Sequence, residues 1–174
     1  METKNSHDVL NRYESSAFVQ DSIAQFQKNP IQKIHVTGQV GSSFSMMAAQ
    51  FMKQTGNPLL LILDDKEESV YVLNELEEFF SKEEVLYLPD SHKRPYEIEE
   101  TNNANVVLRT EVLNTLNGSK KPKIVVTYAE GIFEKVVTKK SLSKNTMKVQ
   151  VDSSLDVDFL NELLFSYEFH RVDF

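Results

Sequence analysis

At 174 residues, 40% of them hydrophobic, the chain is long enough for one domain and a fragment of a second, and it can bury a core without a staple. It has no cysteine, which excludes disulfides, thiolate metal sites and thiol nucleophiles and fits a reducing compartment. A net charge of −7 disfavours non-specific nucleic-acid binding, because phosphate repels most of the surface.

The N-terminus, with Glu2, Asp8 and Glu14, lacks the basic-then-apolar pattern of a signal peptide. No apolar run approaches the roughly 20 residues that span a bilayer, so a soluble cytoplasmic protein with no membrane contact is expected. The charge is uneven: residues 1–118 carry 10 Lys/Arg against 18 Asp/Glu, whereas residues 119–148 carry eight lysines against Glu130 and Glu134. The lysine-rich stretch reads as a solvated face near a domain boundary.

In chain order, Phe18, Val19, Ile23 and Phe26 recur at helical spacing and predict an opening helix within residues 8–27. Asn29-Pro30 breaks it, and the β-branched run from Lys33 to Thr37 predicts a first strand. A glycine-bearing loop follows, then a helix through Met46, Met47 and Phe51 that Gly56 is placed to end. Leu59 to Leu63 is apolar at every position, which suits a strand covered on both faces in a parallel sheet. Lys66 to Phe80 predicts an amphipathic helix, Val85 to Leu88 a strand, and Val107 to Leu116 a helix ended near Gly118. Ile124 to Thr127 predicts another strand, followed by a short helix through Ile132, Phe133 and Val136. This β-α-β-α order implies an α/β fold with a doubly wound parallel sheet of P-loop NTPase type.

The pattern changes near Ser141 to Asn145. A short strand (Met147 to Val151), a helix (Leu155 to Phe165) and an extended segment (Phe169 to Phe174) then predict the start of a small α+β unit. The expected organisation is one domain over residues 1–143 and the truncated beginning of a second over 144–174.

The loop Thr37 to Ser45 carries the strongest chemical signal. It has the strand–loop–helix setting of G-x-x-x-x-G-K-[ST], in which backbone amides and a lysine cradle nucleotide phosphates. Gly38 takes the first glycine position and Ser43 the second, with Gly41 between them. Phe44 stands where the lysine belongs and Ser45 where the magnesium-binding hydroxyl belongs. Phenylalanine brings no charge to the β- and γ-phosphates, so the loop is degenerate and is expected to bind no nucleotide. Asp64-Asp65 has the apolar-strand-then-acid shape of a magnesium-holding segment, but capping of the next helix is the expected role. The histidines His7, His35, His92 and His170 show no metal-ligand spacing, and no G-x-S-x-G elbow occurs. No catalytic residue, metal or cofactor is expected in this chain.

Taken in order, these segments resemble the N-terminal, UvrB-like region of the bacterial transcription-repair coupling factors (Mfd). The carriers are the lysine-less loop Thr37 to Ser43, the strand–helix Leu59 to Phe80, Leu86-Tyr87-Leu88-Pro89-Asp90 with Arg94-Pro95-Tyr96, Leu108-Arg109 to Leu116, and Ile124 to Thr127. The closing Phe169-His170-Arg171-Val172-Asp173 looks like the family's G-Y-x-R/H-V-D stretch, although Glu168 replaces its glycine and Glu97 the Asp of an earlier P-Y-D. The resemblance implies a non-enzymatic module of a longer ATP-driven DNA translocase that displaces stalled RNA polymerase and recruits UvrA. It implies partner binding at His170 and Arg171, with RNA polymerase and DNA contacted by other domains of the longer protein. The alternative expectation is a working UvrB-like ATP-dependent helicase domain, which would need lysine at Phe44.

Overall fold

The computed structural model describes residues 6–29, 31, 33–92, 102–144, 147, 150–151, 154–166 and 169. The chain divides into two compact units, Met1–Val136 and Val137–Phe174.

In the first unit two helices, α1 (Ser6–Glu14) and α2 (Ala17–Lys28), replace the single opening helix that the apolar spacing predicts. The serines cause the break. Ser15 turns its hydroxyl onto the Arg12 carbonyl at 2.8 Å, and Ser16 takes an extended backbone (φ −64°, ψ 126°). Short hydroxyl side chains compete in this way with helix continuation. Helix α3 (Ser43–Thr55) ends as predicted at Gly56, whose positive φ of 66° lets its amide close back on the Met52 carbonyl at 2.9 Å.

Strand β1 (Leu59–Leu63) leads into α4 (Lys66–Glu77), and β2 (Val85–Leu88) follows. Next come α5 (Asn103–Gly118), β3 (Ile124–Tyr128) and the short α6 (Ala129–Phe133). Asp65 caps α4: its carboxylate accepts from the Glu68 amide at 2.8 Å, and the Glu68 carboxylate accepts from the Asp64 amide at 3.3 Å. The pair differs from a strict capping box in that Glu68 reaches the amide one residue before the cap. Asn102 caps α5 in the same manner, accepting from the Ala104 and Asn105 amides.

The strands form one parallel sheet in the order β1-β3-β2, with Leu59 and Val85 both opposite Ile124. Alternation sends the two faces to different helices. Ile124 and Val126 of β3 and Val85 of β2 join Ala49 and Met52 of α3 and Val72 and Leu76 of α4 in the main core. Val125, Leu86 and Leu88 join Val112 of α5 in a second cluster. The α/β class with a parallel sheet is therefore present, and β3, buried at all five residues, is its centre.

One expected element is missing. Lys33 to Thr37 forms no strand. Its alternation is real, since Ile34 and Val36 are half-buried and Lys33, His35 and Thr37 exposed, but its backbone pairs with no described neighbour. Alternation fits a residue to a pleated surface and does not by itself supply the partner a ladder needs. The sheet of described residues thus has three strands where four are predicted.

The second unit holds α7 (Lys139–Lys144) and α8 (Val157–Ser166). The Thr138 hydroxyl accepts from the Ser141 amide at 3.2 Å, and the Asp156 carboxylate caps α8 through the Asp158 and Phe159 amides at 3.0 and 3.1 Å. Of the strand expected over Met147 to Val151, the described residues Met147 and Gln150 are irregular and Val151 lies in a turn. No described helix is long and apolar enough to cross a membrane.

Candidate functional site

The degenerate loop is built on two left-handed glycines, Gly38 (φ 77°) and Gly41 (φ 53°), which let the chain reverse into α3. The Ser43 hydroxyl closes the turn by accepting from the Val40 amide at 2.8 Å. Ser42 and Ser45 point elsewhere. Their hydroxyls donate to the two oxygens of the Glu75 carboxylate on α4, each at 2.5 Å, and Ser45 is fully buried. A helix N-terminus attracts anions, and here the anion is already supplied by the chain itself.

Phe44, 38% exposed, borders an apolar cavity of about 260 Å³ together with Val36, Met47, Phe51, Leu59 and Leu61. Gln39 also lines it, and the Gln39 side-chain oxygen is buried without a hydrogen-bond partner. The structure therefore brings Ser42, Ser45 and Glu75 together and sets Phe44 in an apolar neighbourhood. Gly38 and Gly41 shape the turn, with open space around each. Among the described residues, no group of three His, Asp or Glu side chains is placed to hold a metal ion. His170 and Arg171 lie outside the described residues, as do Arg94 to Tyr96.

A second polar site escapes sequence reasoning. It sits where β2 and β3 end, the position at which open parallel sheets usually bind ligands. Arg109 of α5, only 5% exposed, donates to the Pro89 carbonyl at 2.6 Å, the Gly131 carbonyl at 2.9 Å and the Glu134 carbonyl at 3.2 Å. Its Nε also pairs with the Glu134 carboxylate at 3.1 Å. Ser91 completes the carboxylate's shell with its amide at 2.7 Å and its hydroxyl at 2.6 Å. Burial pushes the Glu134 carboxyl up, but the Ser91 hydrogen bonds and the Arg109 and His92 charges outweigh it and hold the pKa below its ordinary value.

Alongside, the Tyr128 hydroxyl donates to the Asp90 carboxylate and accepts from the Asp90 amide at 3.1 Å. Burial, then the neighbouring Asp90 carboxylate, raises the Tyr128 pKa well above its ordinary value, so the phenol stays protonated. Asn105 ties α5 to the same turn by donating to the Asp90 carbonyl at 2.8 Å. Close approach here requires Gly131: a Cβ at that position would lie 2.6 Å from the Thr127 hydroxyl and 2.7 Å from the Leu88 carbonyl oxygen. The one sequence signal was an arginine on the inward side of a helix, three residues before the buried Val112.

Comparison with curated proteins finds similarity to transcription-repair-coupling factors. A coupling factor from Rickettsia typhi is 26% identical over 121 residues, 70% of this chain, and one from Rickettsia prowazekii is 28% identical over 122 residues. A third, from Rickettsia bellii, is 25% identical over 121 residues. The chain is similar to the transcription-repair-coupling factors. The matched stretch spans about 11% of the length of each of these curated coupling factors. Motif order and overall similarity thus lead to the same proteins. No known family profile matches the chain, and no solved structure does.

Proposed function

We propose that this chain is a non-catalytic module of a transcription-repair coupling factor, built on a doubly wound, P-loop-like sheet whose nucleotide site has been converted to scaffold. The observation that carries this reading is the Glu75 carboxylate held by the Ser42 and Ser45 hydroxyls at the head of α3. A nucleotide phosphate placed at the head of that helix would meet a negative charge. Phe44, at the lysine position, adds an apolar side chain instead. The helices on either side of the sheet, with β3 at its centre, support the doubly wound assignment.

In this reading residues 1–143 are the degenerate domain, and 144–174 begin a second one that docks UvrA through His170 and Arg171. RNA polymerase and DNA are engaged by other parts of a longer cytoplasmic protein, which is an ATP-driven translocase and a DNA-repair factor. The names and lengths of the relatives support that placement.

Calorimetric titration with Mg-ATP tests the first half, with no heat of binding expected up to millimolar nucleotide. Micromolar affinity overturns it. A UvrA pull-down with the unsubstituted protein and with His170→Ala/Arg171→Glu tests the second half. Capture that the double substitution abolishes supports the docking role, and equal capture or no capture removes it from these residues.

A further inference from the structure

We propose that the apolar cavity beside the degenerate loop binds a small, uncharged aromatic molecule that carries one hydrogen-bond donor. Its walls come mainly from α3 and β1, with Gln39 entering from the loop. Phe44, Met47, Ala48 and Phe51 recur at i, i+3, i+4 and i+7 and so form one stripe of α3. Leu59 and Leu61 lie two residues apart and share a face of β1. Phe51 is fixed by Phe26 of α2, ring edge against ring face at a centroid distance of 4.8 Å. Ala48, 7% exposed, is the smallest residue of the stripe and leaves the room that a leucine there would take.

Two properties of the space choose its occupant. The first is size. Apolar protein cavities of about 150 Å³ stay dry and accept benzene. At about 260 Å³ this one accepts a fused two-ring molecule.

The second is polarity. Gln39 is the one polar side chain of the lining, and its buried Oε1 has no hydrogen-bond partner. A buried acceptor left unmet is costly, so a donor delivered to it adds affinity. Water meets that need poorly, because a buried water requires about two to four polar partners and the lining side chains offer one. A charged molecule is excluded by its desolvation, since no charged residue lines the space. What fits is an apolar ring system with a single N–H or O–H. Phe44, Phe51 and the polarizable Met47 thioether favour an aromatic one. The site uses none of the Ser42, Ser45 and Glu75 contacts, so it stands or falls apart from the loss of the nucleotide site.

Indole and indene test the proposal, because they share one fused-ring frame and only indole carries an N–H donor. Titration of indole into the unsubstituted protein, followed by NMR, should give saturable shifts of the Ala48, Phe51 and Leu61 amides. The expected Kd is about 1 mM or tighter, and indene should bind about tenfold more weakly. Gln39→Leu should remove that difference by lowering the indole affinity to the indene value. Ala48→Leu should abolish binding of both probes by filling the space. Met47→Trp fills it from a half-buried position should Ala48→Leu fail to fold, with the same loss expected. Shifts confined to other residues, no saturable shift with indole, or binding that persists in the filled variant overturn the site. Equal affinity for the two probes, or a preference that survives Gln39→Leu, overturns the part given to Gln39 and with it the ligand class.

Discussion

Two acidic side chains in the first unit are held by serines, and their surroundings differ in one respect. Glu75 accepts from Ser42 and Ser45 at the head of α3, and Glu134 accepts from both polar groups of Ser91 at the ends of β2 and β3. Only Glu134 also has a buried arginine, and Arg109 binds three backbone carbonyls besides. The first site joins two helices, α3 and α4. The second joins α5, the turn after β2 and the segment after β3, so it fixes how half the sheet is covered. The motif conspicuous in the sequence marks the lesser constraint, and the inconspicuous arginine marks the greater.

Arg109→Leu breaks this comparison most sharply. It leaves the Glu134 carboxylate without its cation and three carbonyls without a donor, so unfolding free energy should fall by about 3–5 kcal/mol. Urea denaturation measures it, and a loss below about 1 kcal/mol removes Arg109 from the central role. Gly131→Ala forces a methyl group against the Leu88 carbonyl and the Thr127 hydroxyl, where backbone must shift. A loss of roughly 1–3 kcal/mol is expected, read as a lowered Tm.

Acid tests the Glu134 site by a different route. The folded-state pKa of Glu134 is depressed, so its contribution is fully present above the ordinary carboxylate range and lost as pH falls through the folded value. Glu134→Gln should therefore lower stability at neutral pH by roughly 1–3 kcal/mol and flatten the acid limb of the stability curve. Parallel acid limbs for the two proteins would show that Glu134 is not the titrating group.

The same contrast explains what the sequence made legible. Continuous apolar runs located β1, β2 and β3, and β3 is buried on both faces as such a run predicts, but β1 is not, since its Leu60 and Ile62 are exposed. Helix ends were legible where a residue type has one physical use, as with Gly56 at the end of α3 and Asp65 at the start of α4. Lys33 to Thr37 was misread because β-branched alternation records a preferred surface, whereas a strand also requires an edge to bond. The Arg109 network was hidden for a related reason. Its members are separated by up to 43 residues, and each alone is an ordinary Ser, Glu or Arg. The phosphate-loop likeness was readable residue by residue, but Glu75, 30 residues from Ser45, was not.

Smaller effects sharpen the reading of the loop. Ser45→Ala removes one buried donor from Glu75 and should cost about 1–2 kcal/mol, since the carboxylate keeps Ser42. Phe44→Lys is the more informative change, because it restores the one residue whose absence defines the motif as degenerate. Phe44 is 38% exposed, so the substitution should alter stability by no more than about 1 kcal/mol. If lysine were the only missing part, ATP binding would return. The Glu75 carboxylate at the head of α3 supplies a second obstacle, because it repels a phosphate there whatever stands at position 44. Calorimetry on Phe44→Lys should therefore still detect no ATP binding tighter than about 1 mM, a free energy of about −4 kcal/mol. Micromolar affinity from that single substitution would sink the role given to Glu75, and would make the loop a nucleotide site one residue from working.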